Sequence, residues 1–212
     1  MPEPLRIAFR EALEEIEQKV IRLFAMVSES LAAATDTFLA GDRALARKVV
    51  DRDQLIDELD ADIQQLVERN LLLQSPVAND LRFLLTVLRI VPELERSGDL
   101  AEHIASRAAE GLGNELPPKL RGIVQQMGTI TSQMWRASAD AFVDRDPDAA
   151  DRLNEIDEPL NALKRELYER LGSGEVSFSA AVEMALVGRF YERLGDHAKH
   201  IARRTRYLAI GA

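Results

Sequence analysis

Two stretches of this chain spell nearly the same acidic word: Glu95-Arg96-Ser97-Gly98-Asp99 and, 97 residues on, Glu192-Arg193-Leu194-Gly195-Asp196. In each, glutamate and aspartate stand at i and i+4, which stacks both carboxylates on one face of a helix. His103 and His200 follow one turn later. Two acids so placed repel, and the repulsion grows with burial. One remedy is an ion pair with Arg96 or Arg193, three residues before each aspartate. The other is a metal ion, since carboxylates are hard oxygen ligands that suit Mg, Ca, Mn, Fe or Zn. Glutamate and histidine of one ladder are about 12 Å apart along the axis, too far to share one ion. Such a ladder fits the edge of a cluster better than a single site. Further acids can come from a preceding helix: Asp53 and Asp57 in the first half, Asp157 in the second, where Asn161 replaces Asp57. His197 points about 100° away from Asp196 and stays outside this set.

Gly98 and Gly195 each cost a helix about 1 kcal/mol relative to alanine. Their expected use is close approach of another backbone, so the acidic words belong to packed segments.

The elements that hold these words read as helices throughout. Phe9, Leu13, Ile16, Val20, Leu23, Phe24, Val27 and Leu31 form one apolar stripe, and Leu55, Ile56, Leu59, Ile63, Leu66 and Val67 another. Leu71-Leu72-Leu73 reads as a continuation of that core. No period-two alternation is sustained. Gly41-Asp42, Ser75-Pro76, Asp146-Pro147 and Gly172-Ser173-Gly174 mark breaks, with Asp42 and Ser177 or Ser179 as N-caps and the two prolines at first helical positions. Six helices are predicted, over roughly 4–39, 42–72, 76–110, 118–144, 147–171 and 178–208. Pro92 and Pro159 fall inside two of them and are expected to kink them.

The halves align beyond the acidic word. At a spacing of 104 residues Phe38 falls on Phe142, Asp42 on Asp146, Asp53 on Asp157 and Ile56 on Leu160. The expected fold is all-α: two tandem three-helix up-down bundles, residues 1–112 and 113–212, related by an approximate two-fold.

Composition bounds the function. The chain of 212 residues is 46% hydrophobic and only 5% aromatic, has no cysteine, and carries a net charge of −9. Thiolate sites and disulfides are excluded. The acidic balance disfavours nucleic acid as a partner. Met1 to Arg6 lacks the layout of a signal peptide, and no apolar run approaches the roughly 20 residues of a membrane span. The last helix carries Arg189, Arg193, Lys199, Arg203, Arg204 and Arg206. These complement a helix C-terminus or offer a docking face to an acidic partner. No Gly-rich phosphate loop, Gly-x-Ser-x-Gly elbow or His-Glu-x-x-His occurs. The Glu-x-x-His pair of ferritin-like di-iron enzymes is missing too, because Leu100 and His197 stand three residues before His103 and His200.

As an ordered, duplicated set these motifs resemble the PhoU family of bacterial phosphate-transport accessory and phosphate-signalling proteins, over nearly the whole length. The resemblance is carried by Glu95/Asp99 and Glu192/Asp196 as the Glu/Asp-x-x-x-Asp motif, by Asp80-Leu81-Arg82, by Asp42 and Asp146, and by Asp53 and Asp157. It implies a pair of three-helix bundles. It implies a metal, Fe, Zn, Mn or Mg, on Glu95, Asp99, Glu192, Asp196, Asp53 and Asp157. It further implies a cytoplasmic, homodimeric, non-enzymatic adaptor between the ATPase of a phosphate ABC transporter and a phosphate-sensing histidine kinase, which reaches the membrane only through those partners. Two departures stand out. Family members often have asparagine at the positions of His103 and His200, and Phe178-Ser179 replaces Leu81-Arg82 in the second half. The competing readings are a carboxylate-bridged di-metal enzyme and a metal-free helical adaptor whose acids pair with Arg96 and Arg193.

Overall fold

The computed structural model describes residues 3–211, and those residues form helices and short connections only. Met1 and Pro2, part of the segment read for a leader, lie outside the described residues, as does Ala212. In chain order the helices are α1 (Glu3–Ala40), α2 (Arg43–Asp51), α3 (Gln54–Gln74), α4 (Ala78–Glu110), α5 (Pro118–Asp144), α6 (Ala149–Gly172) and α7 (Phe178–Ile210), with a 3₁₀ turn at Leu112–Glu115.

Where the local chemistry is strong, the ends fall as expected. The Asp42 carboxylate accepts from the amides of Ala44 (3.1 Å) and Leu45 (2.9 Å), and Ser177 Oγ accepts from Ala180 N (3.2 Å). Two cap-plus-proline expectations fail. Ser75 closes α3 in a left-handed conformation instead of opening α4, which begins two residues beyond Pro76. Asp148, after Pro147, precedes α6, while Asp146 turns back to accept from Asp148 N. The helix expected over 42–72 is divided. Around Arg52 and Asp53 the bonding tightens to i→i+3, from Arg52 N to Val49 O and from Ile56 N to Asp53 O. Helices α4 and α6 run on through Pro92 and Pro159.

The first trio is α1, α3 and α4, with the short α2 lying on α1 and α4; the second is α5, α6 and α7. The trios meet α1 to α5 and α4 to α7, which pairs equivalent helices as an approximate two-fold requires. One core runs through both. Phe38 and its counterpart Phe142 are fully buried, as are Ile56 and Leu160. Segment Ile7–Ala40 is in fact long and apolar enough to cross a membrane by length and composition. Its apolar stripe, from Phe9 through Ile16, Val20 and Leu23 to Phe38, is spent on this core. Leu72 and Leu73, expected in the core, are exposed, so the buried face of α3 stops short of them.

Thr35 of α1 sits where three helices converge. Its hydroxyl donates to Leu31 O (2.9 Å), so the buried Tyr191 hydroxyl of α7, 2.9 Å away, donates to it. On its other side is Gly128 of α5, where a Cβ would stand 2.4 Å from Thr35 Cγ2. Thr35 is stiff at χ1 and cannot swing clear. Gly128→Ala is therefore expected to destabilise the fold by about 1–3 kcal/mol in urea denaturation. Thr35→Ser in the same chain should restore part of that loss by removing the methyl group.

Candidate metal centre and its counterpart

In the first repeat the tight turn between α2 and α3 delivers Asp53 to the face of α4 that carries the acidic word. Gly98 makes room for it: a Cβ there would stand 3.0 Å from Asp53 Oδ1 and from two carbons of Ile56. The glycine thus admits side chains, not another backbone as expected. Carboxylate oxygens of Asp53, Asp57 and Asp99 come within 4.8 Å of one another. Glu95 lies one turn back on α4, outside this trio.

Among the described residues no lysine or arginine forms an ion pair with Asp53, Asp57, Glu95 or Asp99, although Arg96 opposes the shifts of Glu95 and Asp99 from a distance. Arg96, the expected partner of Asp99, instead approaches Glu93 at 3.8 Å. The consequence appears in the proton affinities. Burial, then Asp99, Asp57, Glu102 and Glu95, push Asp53 up to about 7. Asp99 is raised by burial and by Asp57. Glu95 is raised by burial and by Asp99, Asp60 and Asp57. Asp60, on the next turn of α3, is raised chiefly by burial. A converging set of oxygen donors with uncompensated negative charge fits a hard cation.

The second repeat reproduces the scaffold and not the charge. A Cβ on Gly195 would stand 3.3 Å from Asp157 Oδ1 and 2.9 Å from Leu160 Cδ2, so the same notch admits the same aspartate. Here Lys199 enters between the acids. Its Nζ is 2.6 Å from Asp157 Oδ2 and 3.0 Å from Asp196 Oδ1. Asn161 Nδ2 donates to the same Asp157 oxygen at 2.8 Å. Glu192 is held by Lys164 (2.8 Å) and by Arg189. Burial alone pushes Glu192 up, but these two cations outweigh it and hold the carboxyl below its usual range. Its counterpart Glu95 moves the other way. Asp157, Asp196 and Glu192 thus have ammonium and guanidinium partners. Arg193, the expected partner of Asp196, plays no part in this network.

Of the residues that make this difference, Asn161 stands out in the sequence as the replacement for Asp57, Lys199 and Arg189 stand there only among the cations of the last helix, and Lys164 carries no signal of its own. Lys199 falls on Glu102 at the 97-residue spacing, and Lys164 falls on Asp60 at the 104-residue spacing. The internal repeat is the signal that finds both. His197, which helix geometry turns away from the acidic ladder, is buried between the repeats. Its Nδ1 is 2.8 Å from Ser97 Oγ, and its Nε2 is 3.6 Å from Glu93. Burial lowers its proton affinity, with Glu93 opposing. The two ladder histidines join no metal set. His103 packs on Phe190, with ring centroids 5.3 Å apart. His200 lines a cleft of about 580 Å³ between α4 and α7, together with Arg89, Arg203, Arg204 and Glu93 over Ile90 and Ile201.

A family model described as the PhoU domain matches residues 20–108 and again 124–205. The chain is 31% identical over 211 residues to the phosphate-specific transport system accessory protein PhoU homolog 2 of Mycobacterium tuberculosis, covering 98% of this chain and 99% of that protein. It is 30% identical over 209 residues to PhoU homolog 1 of Thermotoga maritima, covering 97% and 90%. PhoU from Pseudomonas aeruginosa superimposes with a TM-score of 0.88 at 28% identity, over 96% of this chain and 100% of that one. The regulatory protein PhoU from Streptococcus pneumoniae shares the fold, with a TM-score of 0.87 at 24% identity over 96% and 98%.

The raised Asp53 sets a pH dependence. Between its ordinary value of 3.8 and about 7, the folded protein keeps a proton that the unfolded chain has lost. Folding stability from this group therefore falls as pH rises through that window. In thermal melts with chelator present, Asp53→Asn should raise the midpoint at pH 8 and flatten its decline from pH 5. An unchanged slope would show that Asp53 titrates as it does in the unfolded chain.

Proposed function

The chain belongs to the PhoU family, and within that family we propose that it is a non-enzymatic accessory and regulator of phosphate transport and phosphate-starvation signalling. In this reading it works in the cytoplasm as a homodimer. It links the ATPase of a phosphate ABC transporter to a phosphate-sensing histidine kinase. The observation that carries the proposal is end-to-end similarity to proteins named as phosphate-specific transport system accessories. The working units are two PhoU repeats, 1–112 and 113–212.

Two features give the adaptor its chemistry. The first is the acid set of the first repeat, where Asp53, Asp57 and Asp99, with Glu95 on the adjoining turn, would hold Fe, Zn, Mn or Mg. Such an ion would supply charge neutralisation, relieving the repulsion that raises Asp53 and stiffening the α3–α4 contact. The second is the cationic cleft between α4 and α7. His200, Arg203 and Arg204 stand at i, i+3 and i+4 on one face of α7, and Arg89 joins them from α4. In a chain of net charge −9 this is a local reversal of sign, suited to an acidic segment of a partner.

The test is capture of the transporter ATPase and of the kinase's cytoplasmic domains by the purified full chain. The wild type should retain both, and Arg203→Glu with Arg204→Glu should weaken at least one of them about tenfold or more. Elemental analysis should show metal in the wild type and background levels in Asp53→Asn/Asp99→Asn, with helical circular dichroism unchanged in both. Retention of neither partner, by metal-loaded and metal-stripped protein alike, sinks the adaptor reading.

A further inference from the structure

The two acid sets occupy equivalent places on equivalent helices, and they differ in one direction only. Asp57, Asp60 and Glu102 of the first repeat become Asn161, Lys164 and Lys199 of the second. Every change removes a negative charge or adds a positive one. Six carboxylates, counting Asp53, Glu95 and Asp99, become three carboxylates, an amide and two lysines.

Lys199 occupies the position that matters most. Its side chain is 12% exposed, and that of Asp157 is 11% exposed. Its ammonium bridges a carboxylate of α6 and a carboxylate of α7 at 2.6 and 3.0 Å. That is the place an ion joining the two helices would take. We propose that Lys199 is a built-in cation that closes the second acid set, so that this repeat neither needs nor accepts a metal and metal responsiveness is confined to the first repeat. This inference rests on the proposed metal binding of the first repeat.

The physical argument is one of competition. A divalent ion entering the second set must first expel an ammonium that bridges Asp157 Oδ2 and Asp196 Oδ1 and is tethered to the same chain, so it cannot be diluted away. It must also strip Asn161 from Asp157, and Lys164 and Arg189 from Glu192. In the first set an entering ion displaces no basic side chain and relieves a repulsion. One repeat is then locked by its own lysine under all metal conditions. The other changes its charge, and with it the stiffness of its α3–α4 contact, as metal comes and goes.

Metal uptake by full-length protein tests this, using Mn(II) and Zn(II) in separate titrations by elemental analysis and calorimetry. Wild-type uptake should fall to background in Asp53→Asn/Asp99→Asn. Adding Lys199→Gln to that double variant should restore uptake, and Asp196→Asn should abolish it again. Lys199→Gln alone should melt at lower temperature in chelator and recover on adding Mn(II), a response a merely structural lysine would not produce. The proposal is overturned if Asp53→Asn/Asp99→Asn still takes up metal that Asp196→Asn removes, or if Lys199→Gln gains no uptake. Should the wild type bind no metal, the reading of the first repeat fails by itself; gain or no gain in Lys199→Gln then decides the lysine proposal.

Discussion

A carboxylate pressed against a glycine is the contact on which the site depends. Asp53 lies against Gly98, and Asp157 lies against Gly195. Each glycine costs its long helix stability, and what it admits is an acid from the neighbouring helix beside two further acids of the motif. The fold thereby gathers negative charge where solvent is partly excluded, and that charge has to be answered locally. Most other features of the region follow: the 3₁₀ tightening that delivers Asp53, the raised proton affinity of Asp53, and the ring of cations around Asp157 and Glu192.

The two repeats answer the same constraint differently. In the second, Lys199, Lys164 and Arg189 neutralise the acids from within the chain, and Glu192 is held ionised. In the first, no basic side chain among the described residues pairs with the acids, and burial with mutual repulsion pushes Asp53, Glu95 and Asp99 upward. An approximate two-fold in the backbone thus carries a strong asymmetry in electrostatics. The α4–α7 contact sits between these unequal halves and holds its own buried polar link, Ser97 to His197. It also opens the cleft lined by Arg89, Arg203 and Arg204. Any partner that bridges the repeats meets unlike chemistry at their two acid sets.

The length of α1 makes this arrangement possible. Its apolar stripe is long enough to be mistaken for a membrane span, yet it is consumed by contacts with α3, α4 and α5. At Thr35 the backbone of α5 comes close enough that only glycine fits at position 128, while Tyr191 reaches across from α7. The trios are therefore fastened to each other through α1 as well as through α4 and α7. This keeps the two acid sets in fixed relation.

Helical periodicity, strong caps such as Asp42, and the duplicated acidic word were written in the sequence, because they arise from spacing along one helix and from bonds a few residues apart. From these came the all-α architecture, the pairing of Phe38 with Phe142, and Asp53, Asp57 and Asp99 as members of one set. The division near Asp53, the exposure of Leu72 and Leu73, and the displacement of Pro76 and Pro147 from the helix starts depend on what packs against each segment. So does the fate of the charges. Arg96 and Arg193 are neighbours of the aspartates in sequence but bind neither of them, whereas Lys199 meets Asp157 from 42 residues away. One-dimensional spacing tells which residues share a face. Only the crossing of α6 on α7 decides which opposite charge is near enough, and buried enough, to matter.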